Sequence, residues 1–367
     1  MRQLQEYIGP LMGLWRQYER YISAGGLIVG FCFDLIVADR PDSVFNNLLL
    51  LFYLLIAGSL IIILNLRSAL RERQEGTAEP LFLLFVLQIC FGALASNLLI
   101  LYGRSGTLVG SALFIGLLAA MLIGNEFLKN RYAQLRFNIA VYYLLLFSYL
   151  LIAIPTFVFH SVGTGVFLAS GIASLVFIAV FLGLLYYFIF RGRDRQQQLF
   201  EVSSIVFGIF LIFNGFYFLN IIPPVPLALK DIGIYHSIIK TAGGYTVAYN
   251  SPPIWKFWRS TDTTYVSSER NAYCFSAVFA PTDLRAPIFH RWEKKDPTSG
   301  EWTTTSRISF DISGGRAQGY RGYSLNSRLS AGRWRCSVET ESGALIGRFS
   351  FTVVSASTTP MLSTKTL

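Results

Sequence analysis

Seven long apolar runs occupy residues 21–222, and short segments of alternating apolar and polar residues fill most of the C-terminal third. The runs cover about 21–38, 47–66, 81–102, 107–124, 137–159, 166–190 and 204–222. A helix needs roughly 20 apolar residues to cross a hydrocarbon core about 30 Å thick. Within lipid, backbone polar groups must be satisfied inside the segment. Because the runs are apolar on every face, they predict spanning helices rather than barrel strands. The fourth run is the shortest.

After Pro226 the period drops to two. Segments 244–250, 271–280, 286–294, 301–312, 320–326, 333–341 and 345–354 read as strands. In one of them Trp334, Cys336 and Val338 share a face while Arg335, Ser337 and Glu339 share the other. In another, Ile288, His290 and Trp292 lie together. Asp296-Pro297-Thr298-Ser299-Gly300 and Glu341-Ser342-Gly343 read as turns. Seven short strands suggest an antiparallel β-sandwich, with an immunoglobulin-like arrangement as one form of it. Cys274, Trp292 and Cys336 occur in the order of the immunoglobulin Cys…Trp…Cys pattern. A Cys274–Cys336 disulfide is permitted outside the cytoplasm, and two buried thiols are the alternative. Cys32 and Cys90 fall in apolar runs and read as plain membrane side chains.

Composition supports the division. The chain is 53% hydrophobic and 14% charged, against about 25% charged in soluble domains. Residues 1–224 hold 14 Lys+Arg and 11 Asp+Glu, a net +3; residues 225–367 hold 17 and 10, a net +7. The segment before the first run and the six loops between runs carry 3, 1, 3, 1, 3, 0 and 3 basic residues within short reach. The positive-inside rule puts the arginine-rich side in the cytoplasm. Seven spans then place the β-rich part on the opposite side. The expected layout is a cytoplasmic segment 1–20, a seven-span domain 21–222, a periplasmic β-sandwich 223–355 and a flexible tail 356–367. Residues 1–19 lack a signal-peptide core. Leu4, Ile8, Leu11 and Trp15 suit an interfacial stretch, with a polar tail as the alternative.

Asp34 is the one formal charge well inside a run. Such residues are functional candidates, and Asp39 and Asp42 lie close behind it. Asn65, Gln88, Asn97, Asn214 and Asn220 suit hydrogen bonds between helices. Gly26 and Gly30 permit close helix approach, and Pro155 should kink the fifth run. No internal repeat of the transporter kind is visible.

The stretches Pro223-Pro224-Val225-Pro226-Leu227-Ala228-Leu229-Lys230, Tyr273-Cys274-Phe275-Ser276-Ala277-Val278-Phe279 and His290-Arg291-Trp292 carry a family resemblance. So do Gly314-Gly315-Arg316, Gly319-Tyr320-Arg321-Gly322-Tyr323-Ser324 and residues 332–351. Together they resemble the bacterial family catalogued as domain of unknown function 2914, over residues 223–354. The apolar part is similar, more loosely, to the multi-span region that precedes this domain in some members. The resemblance implies a bacterial, envelope-associated protein and carries no catalytic residue.

The three histidines, His160, His236 and His290, are far apart, and no HExxH, Walker, GxSxG or CxxC motif occurs. A zinc site is not expected, and no metal or cofactor is implied. Among the glycines at 314, 315, 319 and 322, Arg316, Tyr320, Arg321 and Tyr323 offer forks and rings for an anionic ligand. His290 and Trp292 could extend that surface. A solvated hairpin with core-facing tyrosines is the plainer reading. No nucleic-acid motif is present. The pattern favours a non-enzymatic inner-membrane protein, multi-pass in the lipid bilayer. Its periplasmic β-domain would bind an envelope glycan, lipid headgroup, protein partner or other anionic ligand. The alternative is a membrane enzyme or transporter acting on a lipid-linked or small-molecule substrate at the outer face, with the carboxylates of Asp34, Asp39 and Asp42 as bases or cation ligands.

Overall fold

A computed structural model describes residues 31–36, 38, 40–71, 81–107, 110–127, 134–189, 195–241, 244–256, 260–267, 271–355 and 362–367. Most of the first apolar run, the 1–19 stretch, Gly26, Gly30, Asp39 and loop residues Arg73, Lys129, Arg131, Arg191 and Arg193 lie outside them. Of the first run, residues 31–36 are helical.

The other six runs form helices α1 (Val44–Arg71), α2 (Leu81–Ser105), α3 (Ala112–Phe127), α4 (Leu135–Ile154), α5 (Thr164–Phe188) and α6 (Arg195–Phe218). Five of these six, all but α3, are long and apolar enough to cross a bilayer. The chain is therefore a multi-pass membrane protein. Large side chains such as Phe82, Phe200 and Tyr187 are mostly exposed, as lipid-facing residues must be. At Pro155, where a kink is expected, the helix changes its hydrogen-bonding pattern. Proline has no N–H for the α ladder, and residues Pro155–Phe159 continue α4 as one π-helical turn. His160, in the left-handed region, ends it.

The chain divides into two compact units. The first holds the described residues up to Leu101 together with Gly116–Leu150 and Ile172–Ile212. Its helices are tied by polar pairs within an apolar bundle. Asn46 and Asn97 exchange amide hydrogen bonds of 3.1 and 2.7 Å. The hydroxyls of Tyr143 and Ser174 lie 3.1 Å apart. Gly58 leaves room for the rings of Tyr142 and Phe181. Such amides and small residues are what hold helices together where lipid removes the hydrophobic drive.

The second unit comprises Tyr102–Ile115, Leu151–Gly171 and Phe213–Leu367, so it takes in helix ends as well as every strand. The strands are β1 (Ala228–Tyr235), β2 (Ser237–Thr241), β3 (Gly244–Tyr249), β4 (Thr264–Ser267), β5 (Ala272–Phe279), β6 (Arg285–Lys295), β7 (Trp302–Ser313), β8 (Tyr320–Asn326), β9 (Gly332–Thr340), β10 (Leu345–Ser355) and β11 (Ser363–Thr366). They form three sheets, ordered β1-β5-β8, β4-β10-β9-β6-β7 and β11-β3-β2. All pairings are antiparallel except that of β4 with β10.

The seven strands expected from alternation are present. The other four, β1, β2, β4 and β11, add to them. Residues 363–366, expected as part of a flexible tail, instead pair with β3, because their backbone satisfies an otherwise open sheet edge.

The inward faces of β5, β6, β9 and β10 meet in one core. Cys274, Trp292, Trp334, Cys336, Phe349 and Phe351 pack there with little or no exposure. Cys274 and Cys336 are joined by a disulfide. Trp292 sits directly opposite Cys336 in the β6–β9 register. Gly322 on β8 is needed because the Phe310 ring fills the space a side chain would take.

Candidate functional site

The outward face of the five-stranded sheet carries a charge array. Alternation points Arg291 and Glu293 of β6, Arg307 of β7, Arg335, Ser337 and Glu339 of β9, and Arg348 of β10 away from the core. In register, Arg291 faces Arg307 on one side and Ser337 on the other. Glu293 faces Arg335, and Arg348 faces Ser337. Like charges directly opposite one another are destabilising. Two carboxylates resolve the conflict.

Arg335 grips Glu293 with both arms of its fork, at 2.6 and 2.9 Å. Arg307 donates to Glu339 at 2.8 Å and to the carbonyls of Thr340 and Glu341 at 3.1 and 3.0 Å. Arg348 donates to Ser337 at 2.9 Å, and the Ser337 hydroxyl lies 3.4 Å from Glu293. Arg307 also stacks on Phe289 at 3.9 Å and Arg335 on Trp302 at 4.3 Å, a use of the planar group that lysine lacks.

The carboxylates lie beneath the guanidiniums. Their side chains are 4% and 2% exposed, against 31% for Arg291 and 38% for Arg307. Burial alone would raise the Glu293 carboxyl. The Arg335 hydrogen bonds and the charges of Arg291, Arg335 and Arg348 outweigh it and hold the group below its ordinary range. Burial lowers the Arg348 pKa, with the neighbouring Arg335 adding to the effect. Four guanidiniums against two carboxylates leave this patch at +2. Arg291 Nε and Glu339 Oε2 lie 3.1 Å apart but make no aligned hydrogen bond. The fork of Arg291 is therefore incompletely used within the protein.

The residues singled out from the glycine-rich stretch do not form one surface. On β8, Tyr320 packs beside a core cluster of the β-domain, while Arg321 and Tyr323 alternate to the opposite face. Tyr323 lies against Tyr245 and Tyr273. Arg316 is 5.5 Å from the Tyr320 ring. His290 and Trp292 are fully buried and open to no surface ligand. They do not extend a binding face as expected from sequence, because both lie on the inward face of β6, where their rings are packed out of solvent. Asp34 is also buried, at 6% exposure, and Asp42 is paired with Arg40 at 2.7 Å.

His290 belongs to an internal polar chain. Its Nε2 lies 2.7 Å from Ser276 Oγ and its Nδ1 2.9 Å from Ser324 Oγ, and Trp292 Nε1 donates to Ser324 at 3.0 Å. A neutral ring with its proton on Nε2 donates to Ser276 and accepts from Ser324, which in turn accepts from Trp292. The nearest metal-donor atoms of Cys274, His290 and Cys336 lie within 4.8 Å of one another. The two sulfurs are bonded to each other and both ring nitrogens face serine hydroxyls, so no donor of the three is open to a metal.

Burial drives the His290 pKa down to about 3. Between pH 6.5 and 3 the unfolded chain then binds a proton that the folded chain refuses. Stability should fall as pH falls through this window, by about 1.4 kcal/mol per unit. From pH 6.5 to pH 5 the loss should be roughly 2 kcal/mol. Denaturant titrations at the two pH values would show it, and His290→Gln should flatten the dependence. An equally steep dependence in the variant would rule His290 out as its source.

Residues 285–353 match the family described as "Protein of unknown function (DUF2914)". The chain thus carries this domain at its C-terminal end, from β6 into β10, and the whole arginine array lies inside it. No curated protein matches the chain. Among solved structures it is similar to the Pseudomonas fluorescens alkylpurine DNA glycosylase AlkC bound to DNA containing an abasic site analog. That likeness has 10% identity, covers 86% of this chain and 99% of that one, and has a TM-score of 0.21. A superposition so loose bears on neither fold nor activity.

Proposed function

We propose that this is a non-enzymatic bacterial inner-membrane protein whose β-domain binds an anionic envelope partner through the arginine array. The observation that carries the reading is the +2 patch, in which buried Glu293 and Glu339 hold the guanidiniums of Arg291, Arg307 and Arg335, Ser337 holds that of Arg348, and the Arg291 fork is incompletely used. Pre-positioned forks suit carboxylate or phosphate groups.

The reading has seven spans over 21–222, a cytoplasmic N-terminus and a periplasmic domain over 223–355. The alternating arginine counts of the loops support it, as does the Cys274–Cys336 bond, which an oxidising compartment favours. It also takes the domain as immunoglobulin-like. In support, the two main sheets are ordered β1-β5-β8 and β4-β10-β9-β6-β7, and Trp292 packs at the disulfide between them.

Detergent-solubilised full-length protein should bind polygalacturonate, a carboxylated polysaccharide, and not neutral dextran. The exposed pair Arg307→Glu and Arg348→Glu should weaken this about tenfold or more, since each contact to a charged group contributes roughly 1.5–3 kcal/mol. Lys240→Glu, on a different sheet, should not. Equal loss in the two would sink the array as the binding face. A second reading, a membrane enzyme or transporter, draws on the buried Asp34 carboxyl in the helical unit. Full cellular function in Asp34→Asn would count against it.

A further inference from the structure

A cavity of about 180 Å³ lies wholly within the second unit. Its inner wall is apolar and built from the ends of three helices. Leu151 and Pro155 come from the end of α4, Val166 and Phe167 from the start of α5. Tyr217, near the end of α6, stacks on Phe167 at 3.8 Å. Helices α4, α5 and α6 are long enough to cross a bilayer, so their shared ends lie near one lipid–water boundary. Beside Pro155, the side chains of Phe157, Val158 and Phe159 are 41%, 64% and 50% exposed. They add exposed apolar surface at the same helix end.

Polar residues also line the cavity. Thr340, Glu341 and Ser342, from the turn between β9 and β10, line it together with Asn220. Among the described residues no lysine or arginine lines the cavity, and Glu341 is the one formal charge in its wall. A cavity on the order of 150 Å³ is enough for a benzene-sized apolar guest. The arrangement is an apolar recess at membrane depth under a polar rim that carries a carboxylate.

We infer that this cavity holds the first methylenes of an acyl chain, next to the glycerol, of a bilayer lipid whose headgroup bears an amine. The occupant follows from the position and the charge. Lipid is the concentrated amphipath at that boundary. An ammonium group beside Glu341 gains a charge-assisted contact, whereas an anionic headgroup meets a like charge with no basic residue of the wall to offset it. The inference rests on the membrane-spanning helices; Arg307 of the array touches the same turn only through the carbonyls of Thr340 and Glu341.

The full-length protein, reconstituted into vesicles of equal phosphatidylethanolamine and phosphatidylglycerol, would be extracted in mild detergent and its retained lipid read by native mass spectrometry. Retention of phosphatidylethanolamine over phosphatidylglycerol by about tenfold is expected, which corresponds to roughly 1.4 kcal/mol. Val166→Trp, which fills the apolar wall, should abolish retention. Glu341→Gln, an exposed turn position with little bearing on folding, should keep a lipid but bring the two headgroups within about twofold. No retained lipid, equal retention of both lipids by the wild type, or an unchanged preference in Glu341→Gln would each overturn the inference. So would full retention in Val166→Trp. If Val166→Trp does not fold, the Glu341→Gln comparison decides.

Discussion

Full-length protein with Cys274→Ala and Cys336→Ala together should unfold its β-domain about 4 kcal/mol more easily than the wild type. The expected size follows from chain entropy. The bond closes a loop of 62 residues, and a cross-link over that span removes roughly 4 kcal/mol of freedom from the unfolded ensemble. Both sulfurs lie at zero exposure in the packed centre of the domain, so the two lost contacts add to the effect rather than relieve it. Hydrogen exchange on β5, β6 and β9 should speed up in the variant, and dithiothreitol should bring the wild type to the same level. A wild type whose exchange does not respond to reductant under conditions that break the bond would contradict this. A double variant that exchanges like the wild type would contradict it equally.

The second large effect concerns Glu293. Glutamine keeps its shape and removes its charge. Arg291, Arg335 and Arg348 would then crowd one another around a buried neutral amide, and the bidentate clasp of Arg335 would lose one acceptor oxygen. Removing one partner of a buried ion pair costs about 3–5 kcal/mol. Because the arginines keep some contact with water, the lower end is expected here, about 3 kcal/mol. Glu301→Gln, at an exposed position beside the β6–β7 turn, should change stability by less than about 0.5 kcal/mol. A cycle combining Glu293→Gln with Arg335→Gln should show coupling on the order of 1–3 kcal/mol. Additivity would mean that the clasp contributes little to the fold.

These two sites differ in how far the chain announces them. Cys274, Trp292 and Cys336 stand out by residue type and by their places on alternating segments. The arginine array does not stand out. Its members, Arg291, Arg307, Arg335 and Arg348, are spread over four strands and separated by 13 residues or more. The alternation of Arg335, Ser337 and Glu339 marks a polar face, but only the β6–β9 register sets Glu293 against Arg335. The glycine-rich stretch drew attention to Arg316, Tyr320, Arg321 and Tyr323 because local clustering is easy to read along a chain. Strand alternation then divides Tyr320 from Arg321 and Tyr323, since neighbouring side chains on a strand point to opposite faces. The same rule buries His290 and Trp292, which share the inward face with Ile288.

By itself, the pattern of apolar runs and alternating segments determined that this chain crosses a membrane several times and ends in a β-rich domain. Those features are set by local composition: lipid demands long uncharged helices, and a half-buried sheet demands a period of two. The tertiary structure decided the rest. It added β1, β2, β4 and β11, whose short or weakly patterned segments are stabilised by the edges they complete rather than by their own propensity. It brought the helix ends and the β9–β10 turn around one cavity, and it gathered distant arginines over two buried carboxylates. Such arrangements depend on contacts between residues far apart in the chain, and hydrophobic period carries no information about which distant segments will meet.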